Sequence, residues 1–275
     1  LLSGIAPFTV TRAAIVTGYR ALSYKTVRNF DALRAQQDVA TGTQFIMIAG
    51  PSLRASTGAH DYYVHGDFYA ANGGPGSFAE VRVVGETRLQ QGTHELKGVV
   101  GSATAAWYSK PSATRTRVLN AELSGIRSLT YPIQLTFADQ EGGLRGFVTS
   151  HEAGGARLVL RAEERQLLIW YFPRADLALA EFVDAGKVWA GGAPLSRTSE
   201  VKASVGLSLL GSYPSGGMRV YRLDIGVPLN NRGGSSWEVR LSANDIAHWI
   251  LREARDVTRA RSAAVPQNVL NFAPR

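Results

Sequence analysis

Along most of the chain, apolar and polar side chains alternate with a period of two, and the alternation is broken by glycine-rich or polar turns. Between Val201 and Leu209, the residues Val201, Ala203, Val205, Leu207 and Leu209 alternate with Lys202, Ser204, Gly206 and Ser208. Tyr221, Leu223, Ile225, Val227 and Leu229 alternate with Arg222, Asp224, Gly226, Pro228 and Asn230, and Trp237, Val239, Leu241 and Ala243 with Glu238, Arg240, Ser242 and Asn244. Ala79, Val81, Val83, Gly85, Thr87 and Leu89 alternate in the same way with Phe78, Glu80, Arg82, Val84, Glu86 and Arg88. Successive strand residues point to opposite faces, so each segment predicts a strand with one apolar face and one charge-bearing face.

About twelve such segments are centred near residues 15, 46, 65, 83, 101, 119, 134, 163, 183, 206, 224 and 240. Many approach or exceed ten residues, enough to cross a bilayer at a tilt, whereas strands of soluble proteins more often have about five or six. Their polar faces carry Arg82, Glu86, Arg88, Arg157, Arg161 and Glu163, as a wet barrel interior would. Tyr24, Phe45, Tyr62, Tyr63, Trp107, Tyr108, Trp170, Tyr171, Trp189, Tyr213 and Trp237 fall near strand ends, where interfacial girdles belong. A soluble sheet with one wet side would share the alternation. Strand length and number favour an all-β, transmembrane antiparallel β-barrel over residues 1–243.

Residues 244–275 read differently. Asn244-Asp245 could cap a helix, with Ile246, Trp249, Ile250, Ala254 and Val257 at helical spacing and Arg252, Arg255, Arg259 and Arg261 between or beyond them. The pattern predicts a short amphipathic helix ending before Pro266, followed by a loose terminus. Packing on the mouth of the barrel and lying on a membrane surface are equally open to it.

Composition narrows the choices. With 275 residues, 45% hydrophobic and only 19% charged, the chain can bury a substantial core, which argues against disorder. Absence of cysteine excludes disulfides, thiolate metal sites and a cysteine nucleophile. No run approaches the roughly eighteen apolar residues of a membrane helix. The chain opens Leu1-Leu2-Ser3-Gly4, with neither Met nor a basic-then-apolar leader, and is expected to be a segment of something longer. Its net charge of +8 is scattered rather than clustered, which argues against a nucleic-acid partner.

Catalytic motifs are missing. His60, His65, His94, His151 and His248 are dispersed and form no paired metal spacing. Gly50-Pro51-Ser52-Leu53-Arg54 lacks the closing glycine of a nucleophile elbow, and Gly186-Lys187 lacks the upstream glycine of a phosphate loop. Gly73-Gly74 and Gly233-Gly234 read as hairpin turns. Glu163 and Glu164 are adjacent on a strand and face opposite ways, so they cannot act as a carboxylate pair. The expectation is a non-enzymatic protein without cofactor or metal.

One constellation stands apart. Asp139-Gln140-Glu141-Gly142-Gly143-Leu144-Arg145-Gly146-Phe147 sets an arginine among glycines and beside an aromatic, between two strands. It is either a solvated turn or a loop folded into a lumen. In the second case the Arg145 guanidinium needs buried carboxylates, because desolvating it unpaired is costly. Glu163, on the polar face with Arg157, Arg161 and Arg165, and Asp184, alternating with Val183 and Ala185, are suitable acceptors.

Leu144-Arg145-Gly146-Phe147 resembles the (V/L)-R-G-(F/Y) loop motif of the bacterial surface-antigen superfamily of outer-membrane barrels, which takes in the BamA and TamA insertases and two-partner-secretion transporters. The segments downstream of it are similar in order as well. Gly154-Gly155 precedes a strand with Glu163-Glu164-Arg165, resembling the family's E-x-R strand, and Phe182-Val183-Asp184-Ala185-Gly186-Lys187-Val188-Trp189 resembles its F-x-D-A-G-x-x-W strand. Val201–Leu210 and Arg222-Leu223-Asp224-Ile225-Gly226-Val227-Pro228-Leu229 are similar to the two strands after that. Gln37-Asp38-Val39-Ala40-Thr41-Gly42 resembles, less specifically, an upstream turn.

The resemblance implies a sixteen-strand barrel, of which about twelve strands are in this chain, in the outer membrane of a Gram-negative bacterium and of a family usually preceded by periplasmic POTRA domains. A genuinely smaller barrel is the alternative, since even strand counts from eight upward occur. The resemblance also implies the insertion, assembly or translocation of client outer-membrane or secreted proteins. Gly143, Leu144, Arg145, Gly146 and Phe147 would form the inward loop, with Glu163 and Asp184 as its lumen partners. The chain departs from the family by continuing about thirty residues past its last strand. A passive pore or anchor for a fused passenger domain, and a soluble β-sandwich binding protein, are the competing readings.

Overall fold

Segments with the two-residue period become strands, because each can bury one face while its backbone pairs laterally. The computed structural model describes residues 10–55, 60–129, 133–139, 142–168, 174–193, 195–230, 236–245 and 253–264. In chain order the strands are β1 (Val10–Arg12), β2 (Ile15–Arg28), β3 (Gln36–Ala55), β4 (Asp61–Gly73), β5 (Ser77–Gln90), β6 (Leu96–Ser109) and β7 (Arg115–Arg127). They continue with β8 (Leu135–Thr136), β9 (Ala153–Gly154), β10 (Ala156–Leu168), β11 (Asp176–Trp189), β12 (Lys202–Ser212), β13 (Arg219–Pro228) and β14 (Glu238–Asp245), and the helix α1 (Arg255–Ala264) comes last.

Twelve of the strands form one antiparallel sheet, and β8 and β9 form a separate two-stranded pair. From β2 onward each sheet strand pairs with its neighbour in sequence, except that β7 pairs with β10 across the long connection that holds β8 and β9. β1 and β2 lie end to end along β3, with the Ala13 amide donating to the Pro51 carbonyl between them at 3.3 Å. The sheet is therefore eleven rows wide. It is not closed: among the described residues, neither β2 nor β14 has a partner on its outer edge.

Its two faces are inverted relative to a water-soluble sheet. Along β12 the polar Lys202, Ser204 and Ser208 are buried, while Leu207 is 61% exposed. Leu241 on β14 and Ile15 on β2 are 78% and 77% exposed, yet Arg157 and Asp184 are 0% exposed. Among the described residues only the polar face is covered, and three elements cover it.

The β2–β3 turn, residues 29–35, folds onto this face. Phe30 stacks on Tyr108 at 4.8 Å, and Leu33 joins Leu167, Ala178, Ala180, Leu210 and Val220 from β10 to β13. Contact from one turn to strands this far across the sheet requires strong curvature. The β7–β10 connection is the second cover. The third is α1, whose Val257 and Ala260, with Ala254 just before it, pack on Val100, Ile126 and Leu135.

Three expectations need correction. The segment near residue 134 is not a strand of the large sheet: Leu135 and Thr136 make a two-residue pairing with Gly154 and Ala153, and Leu135 is buried against Ala254, Val257 and Ala260 of the helical segment. Asn244 and Asp245 end β14, paired with Val220 and Arg219, rather than capping a helix. Tyr108 points inward, donating its hydroxyl to Asp31 Oδ1 at 2.7 Å, because its neighbour Trp107 takes the outer face. Ile246, Trp249, Ile250, Trp170, Tyr171 and the tail after Ala264 lie outside the described residues.

Candidate functional site

The connection between β7 and β10 turns inward because its apolar side chains have nowhere else to be buried. Phe137, Leu144 and Phe147 are fully buried against Val159 of β10 and Val188 of β11, with the two phenylalanine rings 6.1 Å apart. Its backbone is wound tightly: the Gly143 amide donates to the Asp139 carbonyl at 2.9 Å, and the Leu144 amide to the Phe137 carbonyl at 3.0 Å. A Cβ at Gly143 would stand 2.0 Å from the Phe137 oxygen, so that position admits only glycine. Gly146 has φ of 88°, in the left-handed region that favours glycine.

These constraints aim Arg145 at the wall. Its Nε and Nη2 donate to Asp184 Oδ2 and Oδ1 at 2.7 and 2.6 Å, a bidentate pair, and its Nη1 donates to Glu163 Oε2 at 3.0 Å. Asp224 Oδ1 of β13 lies 3.8 Å from the same Nη1, and the Phe182 ring sits beneath the guanidinium at 3.5 Å. Burial works against the charge, but the bonds and charges of Asp184, Glu163 and Asp224 outweigh it and hold the Arg145 pKa above its ordinary value.

Glu163 is a hub. Besides Arg145 it accepts from Arg165 Nε at 2.5 Å and from Arg222 Nη1 and Nη2 at 3.0 and 2.6 Å. Arg222 also donates to Asp224 at 2.6 Å, and Ser208 donates to the same carboxylate. Three guanidiniums thus meet three carboxylates, which lets so many charges be buried together. Arg165 Nη1 reaches the Phe30 carbonyl and joins the cluster to the β2–β3 turn.

A second cluster holds α1. Arg157 donates to both oxygens of Asp256 at 2.6 and 3.1 Å, to the Thr136 carbonyl at 2.6 Å and to Glu122 at 3.2 Å. Arg261, near the other end of the helix, pairs with Glu253 at 2.5 Å and with Glu86 at 3.2 Å.

All seven sequence-derived site residues, Gly143, Leu144, Arg145, Gly146, Phe147, Glu163 and Asp184, therefore meet in one place. Arg222, Asp224, Phe182, Glu238 and Asp256 were not among them. Alternation puts Arg222, Asp224 and Glu238 on the polar face, but only strand register shows which of them meet. Among the described residues, no cluster of His, Asp and Glu could hold a metal ion. Comparison with family models, curated proteins and solved structures finds no match to the chain, so the site is read from its own geometry.

Proposed function

We propose that this chain forms an outer-membrane β-barrel wall of the surface-antigen type, and that it serves in the insertion, assembly or translocation of other proteins without cofactor chemistry of its own. The observation that carries the reading is the inverted sheet. A soluble sandwich would bury its apolar face against a second layer, and among the described residues there is none. Hydrocarbon is the solvent that makes exposed Leu, Val and Ile favourable while the charged face turns to a wet or filled interior. Length agrees: β5, β6 and β11 have 14 residues each. At a rise of about 3.3 Å and a tilt of about 45°, each spans roughly 33 Å, more than the apolar band of about 25 Å.

The inward loop with Arg145, Glu163 and Asp184 supports the narrower assignment, through the order in which its motif and the strands after it occur along the chain. The reading as an open passive pore is weakened by the β2–β3 turn, the inward loop and α1, which together occupy the polar side. The test is reconstitution of the full chain into lipid vesicles. Heat-modifiable migration on a gel and faster folding of an added outer-membrane client are the expected results. Large steady conductance without client folding would replace insertion by a passive pore, and partition into water without detergent would reject the membrane reading.

A further inference from the structure

The inward loop does not stop at its arginine. It crosses the polar face from β10 to β14, held by Arg161 of β10, whose Nη2 donates to the Gly143 carbonyl at 2.9 Å. In the middle Arg145 is caged by Glu163 of β10 and Asp184 of β11. At the far side the backbone passes so close to β13 that a Cβ on Gly226 would stand 3.0 Å from the Gly146 nitrogen. It ends on β14. There Glu238 Oε2 accepts from the Gly146 amide at 2.7 Å and from the Val148 amide at 3.1 Å. Arg240, two residues along the same face, donates to Glu238 Oε1 at 3.0 Å and to the Leu144 carbonyl at 3.3 Å. Glu238 is 7% exposed, so these bonds form away from water.

The strand that supplies this grip is an edge. β14 is laddered to β13 on one side, and its other side has no partner among the described residues. Edge strands in this position fray, because half of their backbone groups lack a ladder. We infer that Glu238 is a positioning residue that fastens the free edge strand β14 to the inward loop from inside, so that the loop sets how firmly the sheet's last strand is held. It acts through Gly146 and Val148 rather than on a reacting atom. If clients engage the sheet at this edge, a consequence that rests on the insertase reading, Glu238 tunes how readily the edge opens.

Hydrogen exchange read by mass spectrometry on the full chain in lipid nanodiscs tests the fastening without any client. In Glu238→Ala, amides of the peptide covering 238–245 should exchange about 10-fold faster or more, since two bonds to a buried carboxylate are lost. Peptides of β10 and β11 should keep their wild-type rates, because the Arg145 cage is untouched. Arg240→Ala should raise the same β14 rates less, as Glu238 still accepts both loop amides.

If Glu238→Ala does not fold, Glu238→Gln carries the test. It keeps a carbonyl acceptor but turns amide hydrogens toward Arg240, and should give an intermediate, few-fold acceleration confined to β14. Unchanged β14 exchange in the folded variants, or equal loosening of β10 and β11, overturns the inference. Failure of the wild-type chain to fold any client would strike the proposed function and leave the exchange result standing.

Discussion

Replacing Arg145 with alanine removes three charge-assisted bonds and a guanidinium stacked on Phe182, but the largest loss falls on its partner. Both oxygens of Asp184 are taken by Arg145, and Asp184 is 0% exposed. Glu163, by contrast, keeps Arg165 and Arg222. The variant therefore leaves one buried carboxylate without its guanidinium, the situation in which breaking a buried ion pair costs about 3–5 kcal/mol. Removing the stranded acid should restore much of that. Arg145→Ala/Asp184→Ala should be more stable than Arg145→Ala alone, with a coupling energy of about 2–3 kcal/mol in the double-mutant cycle. Arg145→Lys keeps the charge but not the two-pronged geometry, and should fall between wild type and alanine.

Denaturant unfolding in detergent micelles, followed by the emission of the five tryptophans, measures the whole set. The reasoning fails if Arg145→Ala lies within about 0.5 kcal/mol of wild type. It fails equally if removing Asp184 gives no recovery, since the cost would then come from lost packing rather than from a stranded charge. For the proposed function, wild-type levels of folded protein and of client insertion in Arg145→Ala would refute the role given to the loop.

The same chemistry sets three smaller tests. Gly146→Ala meets the left-handed φ penalty and places a Cβ 3.3 Å from Pro228 N, whereas Gly216, with φ of 74°, faces open space. Gly216→Ala should cost about 1 kcal/mol and Gly146→Ala more, about 2–3 kcal/mol, read as unfolding midpoints. Val183 is 52% exposed at the middle of β11; Val183→Arg should cost about 2–4 kcal/mol if that face meets lipid, and almost nothing if it meets water. Asp256→Ala leaves Arg157 with Glu122 and the Thr136 carbonyl, at a cost of about 2–3 kcal/mol. It should loosen α1 enough for trypsin to cut faster after the exposed Arg255 and Arg259.

Legibility in the sequence depends on the range of each interaction. The sheet strands could be read because a period of two is a local property that one buried and one exposed face impose on every strand. The same pattern misleads near residue 134, where Ile133, Leu135 and Phe137 alternate not to build a wall but to fill the polar side of the sheet, the first two against α1 and Phe137 against Leu144 and Phe147. Adjacent aromatics carried more than their girdle reading allowed: of Trp107 and Tyr108, one had to turn inward, since neighbours on a strand cannot share a face. The inward β2–β3 turn went unread, although Phe30, Ala32, Leu33 and Ala35 are apolar where a solvated turn would be polar. Pairings were beyond reach for a different reason. Arg222 and Glu163 are 59 positions apart, and Glu238 and Gly146 are 92, so their meeting depends on the register of several strands between them.

Strand direction adds a constraint that no single residue carries. With eleven antiparallel rows, the first and last, β2 and β14, run the same way. An all-antiparallel wall can close between them only through an odd number of further rows; joining β2 directly to β14 would make one parallel pair. The two edges are also prepared differently. β14 is gripped from inside by the loop through Glu238, whereas β2 exposes residues of both faces over most of its 14-residue length, from Ile15 to Ala21 without a break. A strand bare on both faces and, among the described residues, along one edge has the most to gain from a new neighbour, because unpaired amides and carbonyls are the most costly groups to leave in an apolar medium. The physical asymmetry of this sheet is thus a last row gripped through Glu238 and a first row bare from Ile15 to Ala21 and held toward its other end, where Val27 packs with Phe30 and Phe78.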